Sequence, residues 1–203
     1  QVSSRSYRPG MPAQNLQLAI IIGSTREGRW GDKVAHWFAD EARQRPDLLV
    51  DVVDLAEVDS PAVLPMRHTP EVQAYAERID RADAFVVVTP EYNHSYPASL
   101  KQAIDVLNAP WRRKPVAFVS YGGLSGGLRA VEHLRQYTQA DAVFYAGDDV
   151  TDEDAFAALS ADDVGLKSGT GATLANFRVP GPTQVARALA LLADFREGDV
   201  HEQ

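Results

Sequence analysis

Short unbroken apolar runs alternate along this 203-residue chain with stretches whose apolar positions recur every three or four residues. Leu16 to Gly23 (L-Q-L-A-I-I-I-G), Leu49 to Leu55, Ala84 to Val88 and Val116 to Ser120 are runs of the first kind and predict buried strands. After the first strand, Val34, Phe38 and Ala42 share one face of a helix predicted from about Asp32 to Arg45, which Pro46 ends. A loop broken by Pro61, Pro65 and Pro70 leads to a second helix over Glu71 to Arg81. Leu100, Ala103, Ile104 and Leu107 stripe a third helix, and Leu128, Val131 and Leu134 a fourth. Ala142 to Tyr145 predicts a fifth strand.

Strands alternating with helices predict a parallel sheet with right-handed crossovers, and strands apolar on both faces predict helices on both sides. The expected fold class is therefore α/β, a doubly wound, flavodoxin-like parallel sheet. A chain of 203 residues suits one such domain, here 16–203, preceded by a polar, disordered tail over 1–15 that carries Pro9, Gly10 and Pro12. No apolar run reaches the length of a membrane span, and the tail lacks the apolar core of a signal peptide. With no cysteine the chain has no disulfide, thiolate ligand or cysteine nucleophile, and a cytoplasmic location is the expectation. The net charge of -8 sits wholly in residues 141–203, with 4 basic and 12 acidic side chains, because residues 1–140 carry 16 of each. Neither part has the basic excess that binds nucleic acid.

Three strands end in distinctive loops. After the first comes Gly23-Ser24-Thr25-Arg26-Glu27-Gly28-Arg29-Trp30-Gly31, whose hydroxyls, arginines and flexible backbone precede a helix N-terminus. That combination suits a phosphate, and equally a Ser/Thr-capped helix with surface arginines. The third strand runs into Thr89-Pro90-Glu91-Tyr92-Asn93, where Pro90 stiffens the backbone, Asn93 accepts turn geometry and Tyr92 offers a ring with a polar tip. The fourth runs into Ser120-Tyr121-Gly122-Gly123-Leu124-Ser125-Gly126-Gly127, whose glycines let a backbone approach a ligand or simply make a flexible connection. In an open α/β sheet all three lie at the carboxyl edge, where ligands bind. A phosphate cradle, a stiff aromatic turn and a bare backbone wall match flavin mononucleotide (FMN). His36, His68, His94, His133 and His201 show no metal-ligand spacing, so no metal site is expected.

G-S-T-R-x-G-R-x-G, T-P-E-Y-N-x-S-x-P-x-x-L-K-x-A-I-D and S-Y-G-G-x-S-G-G resemble the NAD(P)H-dependent FMN reductase family, over roughly Leu16 to Thr138. The resemblance implies that Ser24, Arg26, Arg29 and Trp30 bind the FMN phosphate. It implies that Pro90, Glu91, Tyr92 and Asn93 lie against the isoalloxazine ring, and that Ser120, Tyr121, Gly122 and Gly123 close the pocket. It also implies NAD(P)H as co-substrate, a small-molecule electron acceptor such as a flavin, quinone, azo dye or metal oxyanion, and a homodimer. Because the chemistry would belong to the cofactor, no catalytic acid or base is assigned.

From Ala142 onward the sequence A-V-F-Y-A-G-D-D-V-T-D-E-D-A-F resembles the last motif of haloacid-dehalogenase-type phosphatases, specifically trehalose-6-phosphate phosphatases, and the likeness extends over 142–195. In that family the aspartates matching Asp148 and Asp149 help to hold Mg²⁺. The nucleophilic D-x-D-x-T/S of such an enzyme, which should follow its first strand, occurs nowhere in the chain, and Asp51 and Asp54 have the wrong spacing. The acidic run has a plain structural reading as well: Thr151 capping a helix with Asp154 three residues on, and Ala155, Phe156 and Leu159 as its buried stripe. Short strands near Val164 and Phe177 and a last helix from about Thr183 to Phe195 complete the prediction. The expected architecture is one composite domain, FMN-reductase-like over 16–140 and phosphatase-like over 141–203, with 142–145 as the fifth strand of a single sheet. Two other readings, a Mg²⁺-dependent phosphatase and a flavin-binding scaffold without turnover, stand beside the oxidoreductase.

Overall fold

The computed structural model describes residues 15–58, 63, 64, 67–107, 109–123, 126–138, 142–150, 152–185, 187 and 188. These residues divide into two compact units, one ending at Thr138 and one beyond it.

The first unit runs β1 (Leu16–Ile22), α1 (Gly31–Ala42), β2 (Leu48–Asp54), α2 (Pro70–Arg81), β3 (Ala84–Pro90), α3 (Ala98–Asp105), a 3₁₀ turn (Ala109–Trp111), β4 (Val116–Tyr121) and α4 (Leu128–Thr138). Its strands lie in the order β2-β1-β3-β4 and every pairing is parallel. Alternation along the strands divides the core in two. Ala19, Ile21, Phe85 and Val87 pack with Val72, Tyr75 and Ile79 of α2, Leu100 and Ala103 of α3, and Leu134 of α4. Ile20, Ile22, Val86 and Val88 pack on the opposite face with Ala35 and Ala39 of α1. Helices therefore cover both faces, as strands apolar on both sides require. Register sets the carboxyl ends level: Ile22 lies opposite both Asp54 and Val88, and Pro90 opposite Tyr121.

The helix starts follow local chemistry. Thr69 caps α2 by accepting from the Val72 N–H at 3.3 Å, with Pro70 in the first helical turn, where a missing N–H costs nothing. At the other end of α2, Arg78 grips Asp51 of β2 with two N–H···O bonds of 3.0 and 2.6 Å and donates to the Val52 carbonyl at 2.7 Å. Lys114 donates to the carbonyls of Ile79 and Asp80 at 2.8 and 2.9 Å, satisfying the last turn of α2.

The second unit comprises β5 (Phe144–Gly147), α5 (Asp152–Ala157), β6 (Val164–Ser168) and β7 (Phe177–Val179), a separate parallel sheet in the order β5-β6-β7. The segment expected to be the fifth strand of one composite sheet is thus the first strand of another. The physical reason is local. β5 pairs in parallel with β6, and the connection between them, residues 148–163, carries α5 as the crossover that a parallel pair needs. Gly165 of β6 leaves room for α5 and the turn after it, since a Cβ there would lie 2.8 Å from Leu159 Cδ1 and 3.0 Å from Phe156 Cδ1. Ala155 and Phe156 are buried, as their helical spacing predicts. Thr151 and most of the expected last helix lie outside the described residues, although 182–185 are helical.

The Arg78 hydrogen bonds hold the Asp51 carboxyl below its ordinary value of 3.8. A carboxyl whose value is lowered by folding adds stability that is present above the unfolded value and lost as pH falls through the folded one. Asp51→Asn is expected to lower stability by about 1 kcal/mol in urea at neutral pH, the modest worth of a half-exposed pair. The gap between variant and parent should close in acid.

Candidate cofactor site at the carboxyl edge

The loop from Gly23 to Gly31 leaves β1 under tight constraint. Gly23 N–H donates to the Val88 carbonyl at 2.8 Å, Ser99 Oγ donates to the Gly23 carbonyl at 2.8 Å, and a Cβ at 23 would stand 3.1 Å from Val88 O. A turn closed by Arg29 N–H on the Arg26 carbonyl follows, with Gly28 at a φ of +67°. Ser24 is fully buried, and its Oγ lies 3.2 Å from the Tyr121 hydroxyl at the end of β4. Burial pushes the Tyr121 phenol above its usual range. Gly31, the first residue of α1, is pressed against this pair: a Cβ would meet Ser24 Oγ at 2.6 Å and the Tyr121 oxygen at 2.7 Å.

Arg29 also turns toward the protein. One guanidinium nitrogen donates to the Ser24 carbonyl at 2.9 Å and the other forms an ion pair with Asp54 at the end of β2. Of the four residues expected at the phosphate, Ser24 and Arg29 therefore hold the loop together, whereas Arg26 and Trp30 face solvent with Thr25. The Arg26 side chain makes no hydrogen bond or ion pair among the described residues. Lys33 lies over the Trp30 ring at 4.6 Å. Trp30 caps α1 with no side-chain acceptor for the first N–H groups, so the Ser/Thr-capped alternative is not realised. An uncapped helix N-terminus beside a free guanidinium favours an anion.

The second loop is a tight hairpin. Glu91 N–H donates to the Tyr121 carbonyl at 3.2 Å, and Tyr92 and Ser95 exchange two backbone bonds of 2.8 and 3.0 Å. Between them Asn93 and His94 sit at φ of +49° and +63°, the two positive values of a type I′ turn. Asparagine and histidine are among the non-glycine residues that accept this region. Glu91, expected at the flavin ring, reaches α4 instead: its carboxylate accepts from Arg129 N–H at 3.0 Å and from Arg129 Nη1 at 2.9 Å. Ser95 Oγ lies 2.9 Å from His133 Nδ1, one turn further along α4. Pro90 is buried at the end of β3, Tyr92 is half-buried and Asn93 is exposed.

In the third loop Gly127, at a φ of +92°, packs where a Cβ would lie 2.6 Å from Ser120 Cβ. Gly122 lies against Gly127 and Glu91, whereas the space around Gly123 is open to at least 4 Å. Leu124 and Ser125 fall outside the described residues. The first and third loops thus meet through Ser24 and Tyr121, and the second and third through Glu91 and Gly122.

Three residues that organise this edge carry no motif of their own: Asp54, Arg129 and His133. Asp54 had a sequence signal, a charged residue closing an apolar strand on the ligand-bearing edge. Arg129 and His133 have only their i, i+4 spacing on one helix face.

These features fit FMN: an uncapped helix start with Arg26 for the phosphate, and an open, glycine-lined wall at 122–123 for a planar ring. Together with the sheet order they define a flavodoxin-like nucleotide-binding protein. Its family follows from sequence: residues 16–154 match the NADPH-dependent FMN reductase family, and the chain belongs to it. It is 36% identical over 123 residues to an NAD(P)H-dependent FMN reductase of Schizosaccharomyces pombe, covering 55% of this chain and 60% of that protein. Over 131 residues it is 36% identical to a quinone reductase of Escherichia coli, covering 61% of this chain and 70% of that protein. The chain thus spans between three-fifths and seven-tenths of these two relatives. Among solved structures, the flavoenzyme NAD(P)H:(acceptor) oxidoreductase FerB of Paracoccus denitrificans aligns with a TM-score of 0.50 at 25% identity, covering 61% of this chain and 71% of that one.

The family match extends to Asp154, beyond Gln139 where the likeness was expected to stop, and so takes in β5 and the acidic turn. It lends no support to a phosphatase origin for that segment. The carboxylates there are engaged locally. Asp152 accepts from the N–H groups of Asp148 and Asp149 at 2.7 and 2.8 Å and from the Tyr145 hydroxyl at 2.7 Å. Glu153 accepts from Leu174 N–H at 2.7 Å and pairs with the buried Lys167 at 3.1 Å. No group of three or more metal-ligating side chains occurs among the described residues.

Gly31→Ala tests the packing of the edge. The added methyl must displace Ser24 or Tyr121, and a loss of about 2 kcal/mol in urea unfolding is expected, the usual cost of overfilling a tight site.

Proposed function

We propose that this protein is an FMN-binding, NAD(P)H-dependent oxidoreductase that passes hydride from a nicotinamide to flavin and on to a small acceptor, with quinones the first class to test. The convergence of three loops on one sheet edge, beside an uncapped helix start, carries this reading. The names of the S. pombe and E. coli relatives support it. When bound, FMN would supply the redox chemistry, and the chain's part is to bind, orient and shield it.

Arg26, the Thr25 hydroxyl and the first N–H groups of α1 would receive the phosphate. The ring would lie along Tyr92, Asn93, Tyr121, Gly122 and Gly123. Within 90–93 the hydrogen-bond donors are few: Pro90 has no N–H, and those of Glu91 and Tyr92 are taken by Tyr121 and Ser95. Asn93 is left as the backbone donor facing a ligand. Ser24, Arg29, Pro90, Glu91 and Ser120 act behind this surface, as its supports. A homodimer and a cytoplasmic setting belong to the same reading. No helix among the described residues is long and apolar enough to cross a membrane.

The Mg²⁺-dependent phosphatase reading lacks the nucleophile motif D-x-D-x-T/S in the sequence. Purified protein mixed with FMN and desalted should show a flavin spectrum and oxidise NADH or NADPH when a quinone is added. Protein that neither binds flavin nor oxidises either nicotinamide would overturn the proposal. Flavin binding without oxidation would leave the scaffold reading.

A further inference from the structure

We infer that Asp54 sets how tightly the flavin phosphate is held, by keeping Arg29 on the protein side of the first loop. The inference rests on the flavin reading above and concerns a residue outside the three loops.

Asp54 ends β2 and is itself fixed, because its Oδ1 accepts from Ala56 N–H at 2.9 Å. Its Oδ2 holds one arm of Arg29, and the other arm is on the Ser24 carbonyl. The two side chains are only 17% and 15% exposed, so water screens their attraction poorly. To reach a phosphate at the start of α1, Arg29 would have to give up both bonds and leave the Asp54 charge unpaired in a largely desolvated place. An arriving phosphate therefore meets one uncommitted guanidinium, that of Arg26. The remaining charges of the loop do not add to the grip. Glu27 and Asp32 are anions, Asp32 lies in the first turn of α1, and Lys33 leans on Trp30.

A phosphate held by one exposed arginine and a helix start is held loosely, since each charge-assisted contact adds to affinity. The flavin is then an exchangeable cofactor, and Asp54 makes it so. Removing the Asp54 charge frees Arg29 to turn outward and adds a second cation for the phosphate.

The test uses the full chain and measures dissociation constants for FMN and for riboflavin, which lacks the phosphate, by flavin fluorescence. Asp54→Asn should tighten FMN about tenfold, the effect of one added charged contact, and leave riboflavin unchanged. Salt dependence of FMN binding should steepen. Arg29→Gln alone should leave the ratio of FMN to riboflavin affinity near that of the parent, and adding it to Asp54→Asn should abolish the gain. Equal weakening of both ligands by Asp54→Asn would mean that the pair merely braces the loop, and the inference would fall. A tenfold loss in the FMN-to-riboflavin ratio for Arg29→Gln alone would show Arg29 on the phosphate already, and would overturn it even if Asp54→Asn does not fold. Parent protein that binds neither flavin sinks the functional reading, and the inference with it.

Discussion

The hydroxyls of Ser24 and Tyr121 lie 3.2 Å apart at the start of α1, where a glycine at 31 leaves them room. Ser24 follows β1 and Tyr121 ends β4, with β3 running between those strands, so one hydrogen bond spans a strand's width at the carboxyl edge. Because the helix is drawn in over this pair, its first turn stands close to the sheet end, with its N–H groups facing the loop mouth. A larger residue at 31 would lift α1, separate the hydroxyls and leave a fully buried Ser24 without its partner. An unpaired buried hydroxyl costs more than the hydrogen bond itself contributes. The position of the N-terminal end of α1 thus depends on a hydrogen bond between two residues outside the helix.

The other helix starts show why that end is available. Thr69 answers the N–H groups of α2, and Glu91 answers those of α4, while α1 has no side-chain acceptor. Glu91 does more than cap. It joins the hairpin after β3 to α4, and Ser95 repeats the link one turn later through His133. A hairpin tethered at two points can hold Asn93 and His94 in the left-handed region, where an untethered loop would relax. The backbone N–H of Asn93 is consequently presented at a fixed place on the edge.

Much of the first unit was legible in the sequence because its signals are periodic. Four apolar strands and four amphipathic helices fell within a few residues of their places, and the three loops met on one edge as parallel topology requires. Periodicity says which face of an element is buried, and it is silent on which partner a strand chooses. The 142–145 run shows this, since its strand pairs with β6 and not with β4. Side-chain direction within the loops was equally hidden. Ser24, Arg29 and Glu91 have the chemistry of ligand-binding residues, and all three turn inward. What directs them, Tyr121, Asp54 and Arg129, lies from 25 to 97 residues away in sequence.

The acidic turn of the second unit makes the same point from the other side. Read as a row of carboxylates, Asp148 to Asp154 suggests a cation site. In the fold the Asp152 carboxylate fills the space beside Gly147, where a Cβ would lie 2.3 Å from Asp152 Cγ, and draws the N–H groups of 148 and 149 toward itself. Glu153 turns to Leu174 N–H and to Lys167, whose ammonium also donates to the Asp149 carbonyl at 2.9 Å. A carboxylate that satisfies backbone donors is fixed in direction, and ligating an ion would require it to release them. The negative charge at this turn therefore serves a loop that has few apolar side chains with which to hold its shape, and Lys167 is the counter-charge that lets the loop lie against β6.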